Sequence, residues 1–419
     1  MSALFIFRRD LRLTDNTGLI ELSQTHNIIP IFILDPKQLE NNPYGNNRLI
    51  QFMIESLRDL SSQIESAGGK LYICEGNPHD VVRDIISKHK IDIVGFNEDY
   101  TPYARKRDNA IARISGVECV QFQDIRLVND VVTGSGTVYQ KFTPFYNKAK
   151  KINIPKPRKF TGKFTKVSGI TSAKLNNVFE SDIKGGRTEG LKVLNRARNI
   201  NYSRRDYMSE NTTTGLSPYN KFGCVSCREV YHKVSEHIQK EMFWRDFYYG
   251  VMDEYGPGPK FEIKWANNST HFNRWKNGTT GFPIVDAGMR ELVESGKMHN
   301  RTRMITSNFL VKVLGIDWRK GEKFFAQNLI DYDLSQNNGG WQWSAGTGAD
   351  AQPYYRVFNP YSQSKKYDKD CKYIKKWIPE LADVEPSVIH KWTGDSDVDY
   401  PAPFVDYKEC KERVQKLYK

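Results

Sequence analysis

The chain is poor in cysteine, with six in 419 residues, and Cys74, Cys119, Cys224, Cys227, Cys371 and Cys410 are scattered along it. That spacing excludes a disulfide framework and suits reduced thiols in the cytosol or nucleus. Cys224-x-x-Cys227 has no second pair to close a zinc site, so a packing role is expected and no metal site is assigned. Long apolar runs are also missing. Ile28-Ile-Pro-Ile-Phe-Ile-Leu34 is far shorter than the roughly 20 apolar residues that a membrane span needs. At the N-terminus the charges follow the first apolar run instead of preceding it, so no export signal is read. No Gly-x-Gly-x-x-Gly turn follows that run; Phe7-Arg-Arg-Asp-Leu-Arg-Leu-Thr-Asp-Asn16 stands there instead. Internal repeats and low-complexity tails are absent.

Acidic residues fall short of basic ones, and the net charge is +13. Residues 1–130 carry a net −3, residues 131–195 a net +10 and residues 196–419 a net +6, as expected either of a part that faces phosphates or of a solubilising surface. A chain this long exceeds the roughly 250–300 residues that one core serves. The predicted division is 1–130, a basic connector over 131–195, and 196–419. In the first part, strands are predicted at Ala3–Phe7, Ile28–Leu34, Lys70–Cys74, Ile91–Asn97 and Val117–Phe122. Helices are predicted near Thr17–Gln24, Asn46–Ala67, Pro78–Lys88 and Pro102–Ile114. That alternation predicts an α/β domain with a doubly wound, parallel five-stranded sheet, Rossmann-like in architecture. The connector, rich in Lys, Gly, Ser, Thr and Pro, shows few helix or strand signals. From Ala197 onward the periodicity is helical.

The densest chemistry lies between Asp331 and Asp350. Gly339, Gly340, Gly346 and Gly348 would each weaken a helix or strand, which suggests backbone held close to something flat. Trp341 and Trp343 add aromatic faces, while Asp331, Asp333, Asn337 and Asn338 offer directed polar groups suited to the edge of a heterocycle. Six of the eight tryptophans fall between Trp244 and Trp343.

These features come in a familiar order. Phe7–Asn16, Gly215-Leu-Ser-Pro-Tyr-Asn-Lys-Phe-Gly223, Gly281-Phe-Pro-Ile-Val-Asp-Ala-Gly-Met289, Met298-His-Asn-Arg-Thr-Arg-Met304 and Asn337-Asn-Gly-Gly-Trp-Gln-Trp343 span nearly the whole chain. The chain resembles the photolyase and cryptochrome family, and within it the class I cyclobutane pyrimidine dimer photolyases. The resemblance implies an all-helical, FAD-binding domain after the connector. It also implies light-driven electron transfer from reduced, anionic FAD to a flipped pyrimidine dimer in DNA. A distorted lesion costs less to flip than a normal pair.

By the same resemblance, Glu241 hydrogen-bonds the dimer, Trp244 and Trp343 stack on it, and Asn300 and Met304 touch it. Tyr202, Thr213, Thr214, Gly215, Leu216, Ser217, Arg303, Asp331, Tyr332, Asp333 and Asn337 would hold FAD. Asn337 would face the flavin N5, and Arg303 and Asp331 would form an ion pair beside the ring. Trp341, Trp318 and Trp265 match an electron-carrying tryptophan chain. Arg205, Arg245, Arg301, Arg356 and Gln363 match DNA-contacting positions. His299-Asn300 stands where 6-4 photolyases carry a His-His pair.

The sequence departs from the family in places. Ile238-Gln-Lys240 replaces a Trp-Leu-Asn-like run, which puts one flavin or lesion contact in doubt, and Tyr202 is displaced by one position. Gly215 replaces the usual Arg. Cys224-x-x-Cys227 falls where the family has helix, and two cysteines in the C-terminal third are too few for an iron–sulfur cluster. Tyr103-Ala104 stands where folate-binding members carry Asn-Glu, so a deazaflavin antenna, or none, suits the chain better than a folate. A cryptochrome signalling through a partner is the competing reading; Glu241, Met304, Asn337 and an end at Lys419 without a signalling tail favour repair. A nucleotide-binding protein without photochemistry is disfavoured by the tryptophan chain. The expected partner is dimer-containing DNA, and the expected state is a monomer.

Overall fold

Ser2–Phe7 (β1) is apolar from Ala3 onward, and every residue from Ala3 to Phe7 is buried, as in a central strand covered on both faces. In the computed structural model, which describes all residues except 41, 396 and 419, β1 pairs in parallel with Asn27–Leu34 (β2) and Ile93–Asn97 (β4). Tyr72–Glu75 (β3) lies outside β2 and Glu118–Phe122 (β5) outside β4, giving the order β3-β2-β1-β4-β5. The predicted strands and their parallel pairing are all present.

Besides the single turn Pro36–Leu39, the helices between them are Thr17–Leu22 (α1), Asn47–Ser66 (α2), Pro78–Lys88 (α3) and Pro102–Ala112 (α4). Each starts where a side chain accepts a backbone N–H of the first turn: Asn16, Asn46, Asn77 and Thr101. Gly95 in β4 lets α1 pack close, because a Cβ there would lie 2.1 Å from the Leu22 Cδ1 methyl.

The connector is more ordered than its composition suggests. It contains Phe142–Ala149 (α5) and the start of Arg187–Ala197 (α6). In α5 the buried residues are Phe142, Phe145 and Ala149, a one-sided stripe that a central Pro and flanking lysines conceal. Ser217–Lys221 (α7), Cys227–Tyr231 (α8) and Glu236–Tyr255 (α9) follow. Cys224 and Cys227 therefore do not share a helix: the chain breaks between α7 and α8, and Ser226 caps α8 with Glu229 closing a capping box. All six cysteines are free thiols.

Two compact units result, Met1–Ile200 with Thr214–Glu254, and Asn201–Thr213 with Tyr255 onward. The helix α9 thus belongs with the sheet. The second unit is helical: Ser269–Lys276 (α10), Pro283–Ser295 (α11), Asn300–Lys312 (α12), Trp318–Asn328 (α13), Leu334–Ala345 (α14) and Pro360–Tyr367 (α15) surround a core that includes Trp275, Phe309, Leu310, Phe325 and Trp341. No helix among the described residues is long and apolar enough to cross a membrane.

The loop after β1 is spent on structure. Asp10, Arg12, Asp15 and Asn16 are all buried. Arg12 donates to Asp124 at 2.5 Å and to the Gly223 carbonyl at 3.1 Å, while Arg228 of α8 bridges Asp15 and Asp124, each at 2.8 Å. Burial by itself would raise the Asp124 carboxyl, but the two guanidinium groups outweigh it and hold it well below the usual range. The folded carboxyl therefore ionises at lower pH than the unfolded one, so its stabilisation is complete above about pH 4 and is lost as the pH falls further. Asp124→Asn should cost about 3–5 kcal/mol in urea unfolding near neutral pH and should flatten the acid limb of the stability curve below pH ~4. A wild-type acid limb in the variant would remove Asp124 from this role.

Candidate active site

The segment from Asp331 to Asp350 folds mainly as α14, with Asp333 as its N-cap and Gly346, at φ +80°, as its left-handed C-cap. Gly339 and Gly340 lie inside the helix, so their density does not mark irregular backbone; a Cβ on Gly340 would meet nothing within 4 Å. The paired amides separate by face. Asn338 and Gln342, one turn apart, join each other at 2.7 Å and both donate to the Pro257 carbonyl, anchoring the helix. Asn337 lies on another face and donates to Glu322 of α13, to its carbonyl at 3.0 Å and its Oε1 at 2.9 Å. Glu322 is buried, and nothing in the sequence singled it out as the group that orients Asn337.

The helix α12 runs beside α14, and the two are joined by a 2.7 Å hydrogen bond between Ser307 and Ser344. From α12, Arg303 grips both oxygens of Asp331, at 2.9 and 3.1 Å, and also donates to the Met298 carbonyl. Asn300 Nδ2 lies 3.7 Å from Met304 Sδ, so the predicted one-turn pair shares a face. His299 caps the helix by accepting from the Arg301 N–H, and burial lowers its pKa to about 4, keeping the ring neutral.

Of the three tryptophans read as a chain, Trp341 and Trp318 are in the core of the second unit and Trp265 packs against it, as do Met304, Tyr332 and Trp343. The rings flanking Trp341 are Phe325 at 4.8 Å and Trp275 at 6.1 Å, both edge-on. Gly321 makes room for it, since a Cβ there would lie 2.1 Å from the indole. Trp265 meets Tyr418 edge-on at 5.9 Å, a neighbour that the sequence reading missed.

The expected DNA residues differ in setting. Arg356 is exposed and Arg205 lies over the Tyr202 ring at 5.0 Å. Arg301 pairs with Asp206 at 2.8 Å and covers Tyr367 at 4.3 Å. Arg301 Nε and Gln363 Oε1 are buried without hydrogen-bond partners, leaving polar capacity that a ligand could use. Lys312, 1% exposed, was not foreseen. Its ammonium donates to the carbonyls of Pro353 and Arg356 at 2.9 and 3.1 Å, and burial with the nearby Arg356 charge lowers its pKa to about 8.

The first unit carries the remaining residues. Glu241, Trp244 and Arg245 are all half-buried on α9, with Glu241 and Trp244 one turn apart. Arg245 points inward, donating to the Ile125 carbonyl at 2.5 Å and covering the Tyr249 ring. Thr214, Gly215, Leu216 and Ser217 form the turn into α7; Thr213 belongs to the second unit. Gly215 has φ +68°, and the Arg196 guanidinium of α6 lies 3.0 Å from where a Cβ there would sit and donates to the Thr214 carbonyl.

Residues 3–160 match the DNA photolyase model and residues 238–419 the FAD binding domain of DNA photolyase. The chain belongs to the DNA photolyase family. It is 33% identical to a deoxyribodipyrimidine photo-lyase of Synechococcus, over 99% of this chain and 96% of that one. An archaeal photolyase from Sulfolobus tokodaii, solved with two FAD molecules, is 40% identical with a TM-score of 0.93, covering 100% of this chain and 99% of that chain. A cryptochrome from Synechocystis is 28% identical with a TM-score of 0.90, covering 99% of both.

Lys312→Met keeps the length of the side chain but removes the buried ammonium from which the Pro353 and Arg356 carbonyls accept. A loss of about 1–3 kcal/mol is expected in denaturant unfolding. An unchanged midpoint would show that the loop at 353–356 does not need the ammonium.

Proposed function

We propose that the protein is a deoxyribodipyrimidine photolyase, splitting cyclobutane pyrimidine dimers in DNA under blue or near-UV light. The observation that carries this reading is the group on α12, on α14 and in the turn before it: the Arg303–Asp331 pair, Asn337 held by Glu322 of α13, and the Asn300–Met304 pair. Its donor set fits FAD, because carboxylates and amides on successive turns match the polar edge of a flavin. Bound and reduced FAD would supply the electron that opens the cyclobutane ring. The chain's own residues then act around that step. Asn337, oriented by Glu322, would hydrogen-bond the flavin edge and favour its reduced, anionic form. Tyr202, Thr213, Thr214, Gly215, Leu216, Ser217, Tyr332 and Asp333 would hold the rest of the dinucleotide.

Glu241 would hydrogen-bond the dimer and stabilise charge on the pyrimidine carbonyls. Trp244 and Trp343 would stack on the flipped bases, a contact worth about 1–3 kcal/mol per base. Arg205, Arg245, Arg301, Arg356 and Gln363 would hold the strand without reading its sequence. Trp341, Trp318 and Trp265 would carry electrons inward for photoreduction. We assign antenna binding, if a chromophore is used, to residues 1–130, the connecting role to 131–195, and flavin and DNA binding to 196–419. A flavin-type antenna, deazaflavin or a second FAD as in the Sulfolobus protein, suits Tyr103-Ala104 better than folate. The reading implies a monomer working inside the cell, in the cytoplasm or nucleus.

The fold is shared with a cryptochrome, so repair is the discriminating measurement. With the flavin fully reduced, blue light over dimer-containing DNA should restore intact thymines; no restoration would leave the signalling reading in its place. Glu241→Ala should lower the repair yield severalfold while flavin content stays unchanged. Asn337→Asp should shift the flavin reduction potential, which a spectroelectrochemical titration reads.

A further inference from the structure

Trp244 has a partner from the segment whose sequence looked least structured. Phe142, the first residue of α5, lies with its ring centre 3.6 Å from that of Trp244 and with only 8° between the planes. The Phe is 3% exposed, whereas Trp244 is half-buried. Aromatic pairs left to themselves prefer offset or edge-on geometry, so a face-on stack has to be held from the side. Phe247 supplies that hold, meeting Phe142 at 5.9 Å and Trp244 at 5.7 Å, both edge-on, and Phe145 backs Phe247 at 5.6 Å. Tyr248, one turn further along α9, meets the indole with its centre 5.8 Å away at 29°.

One indole face is thus stacked on Phe142 of α5, an element distant in sequence, and its edge is held by Phe247 of its own helix. Lys240, exposed and one turn before Trp244, places its ammonium 6.0 Å from the Phe142 ring and 5.4 Å from Tyr146. This is the third residue of the run where the sequence departs from the family, and it gives the stack a positive flank. A flat apolar surface beside a cation suits a nucleotide, which brings both a base and a phosphate.

We propose that Phe142 is a positioning residue for lesion binding: by covering one face of Trp244 it orders the indole in advance, so that a flipped pyrimidine stacks on a wall already in place. The proposal rests on the reading of Trp244 as a base-stacking residue. Pre-ordering a binding group lowers the ordering cost at association, so its loss appears in affinity for the flipped base and not in general attraction to DNA.

The test measures dark binding of the flavin-loaded protein to duplexes with and without one thymine dimer, for Phe142→Leu, Phe142→Met, Phe142→Tyr, Trp244→Ala and the double variant Phe142→Leu with Trp244→Ala. Phe142→Leu should weaken dimer binding by about three- to tenfold, with affinity for undamaged DNA and flavin absorbance unchanged. Phe142→Tyr, which keeps the flat ring, should stay within about twofold. In the Trp244→Ala background, Phe142→Leu should have no further effect. Full dimer affinity in Phe142→Leu alongside loss in Trp244→Ala would overturn the positioning role and leave the stacking role standing. Full affinity in Trp244→Ala would overturn the stacking role, and the proposal with it. Equal loss for both DNAs, or loss of flavin, would mean that Phe142 only supports the fold. Should the Leu variant not fold, Phe142→Met, flexible and of similar volume, gives the same comparison.

Discussion

The buried group formed by Arg12, Asp15, Asp124 and Arg228 is the constraint from which the first unit is built. It joins the loop after β1 to α8 across more than two hundred residues of chain, with each carboxylate answered by a guanidinium or a hydroxyl. Such a network is costly to desolvate and costly to break, so its value lies in specifying one arrangement. Gly223 shows how close that arrangement is: with φ +62°, its missing Cβ would sit 2.1 Å from the Arg9 carbonyl oxygen.

That closure determines where α9 goes. Asp246 accepts the backbone N–H groups of Leu127 and Val128, Arg105 and Arg126 pair with Asp253, and Arg245 reaches the Ile125 carbonyl. The helix carrying Glu241 and Trp244 is therefore fastened to the sheet unit and stacked on α5. Asn337, Arg303, Asn300 and Met304 are fastened within the helical unit. Within each unit, the candidate residues it carries are held by that unit's own packing and polar anchors.

Much of this was legible in the sequence where local rules act alone. The strands, the helices α1–α4 with their Asn and Thr caps, and the one-turn spacings Glu241–Trp244 and Asn300–Met304 follow from periodicity and capping. Three readings needed the fold. The glycines at 339 and 340 looked like irregular backbone but lie in a helix, because Asn338 and Gln342 hold it to the loop at 257–258. The connector looked structureless because the buried stripe of α5 is short and hidden among lysines. Cys224 and Cys227 are separated by a helix break that Ser226 and Glu229 create.

By itself the sequence determined the sheet, the helical second half, the positive charge and the choice of candidate residues, since these depend on side-chain type and on spacings within one or two turns. Tertiary structure decided which of them are held and by what: Asn337 by Glu322, the loop of Arg356 by Lys312, Trp341 by the gap at Gly321, and Trp244 by Phe142. Each pair joins separate elements, over sequence separations from 15 to 102 residues. No local periodicity encodes such contacts; they form only when burial of the core brings the elements together.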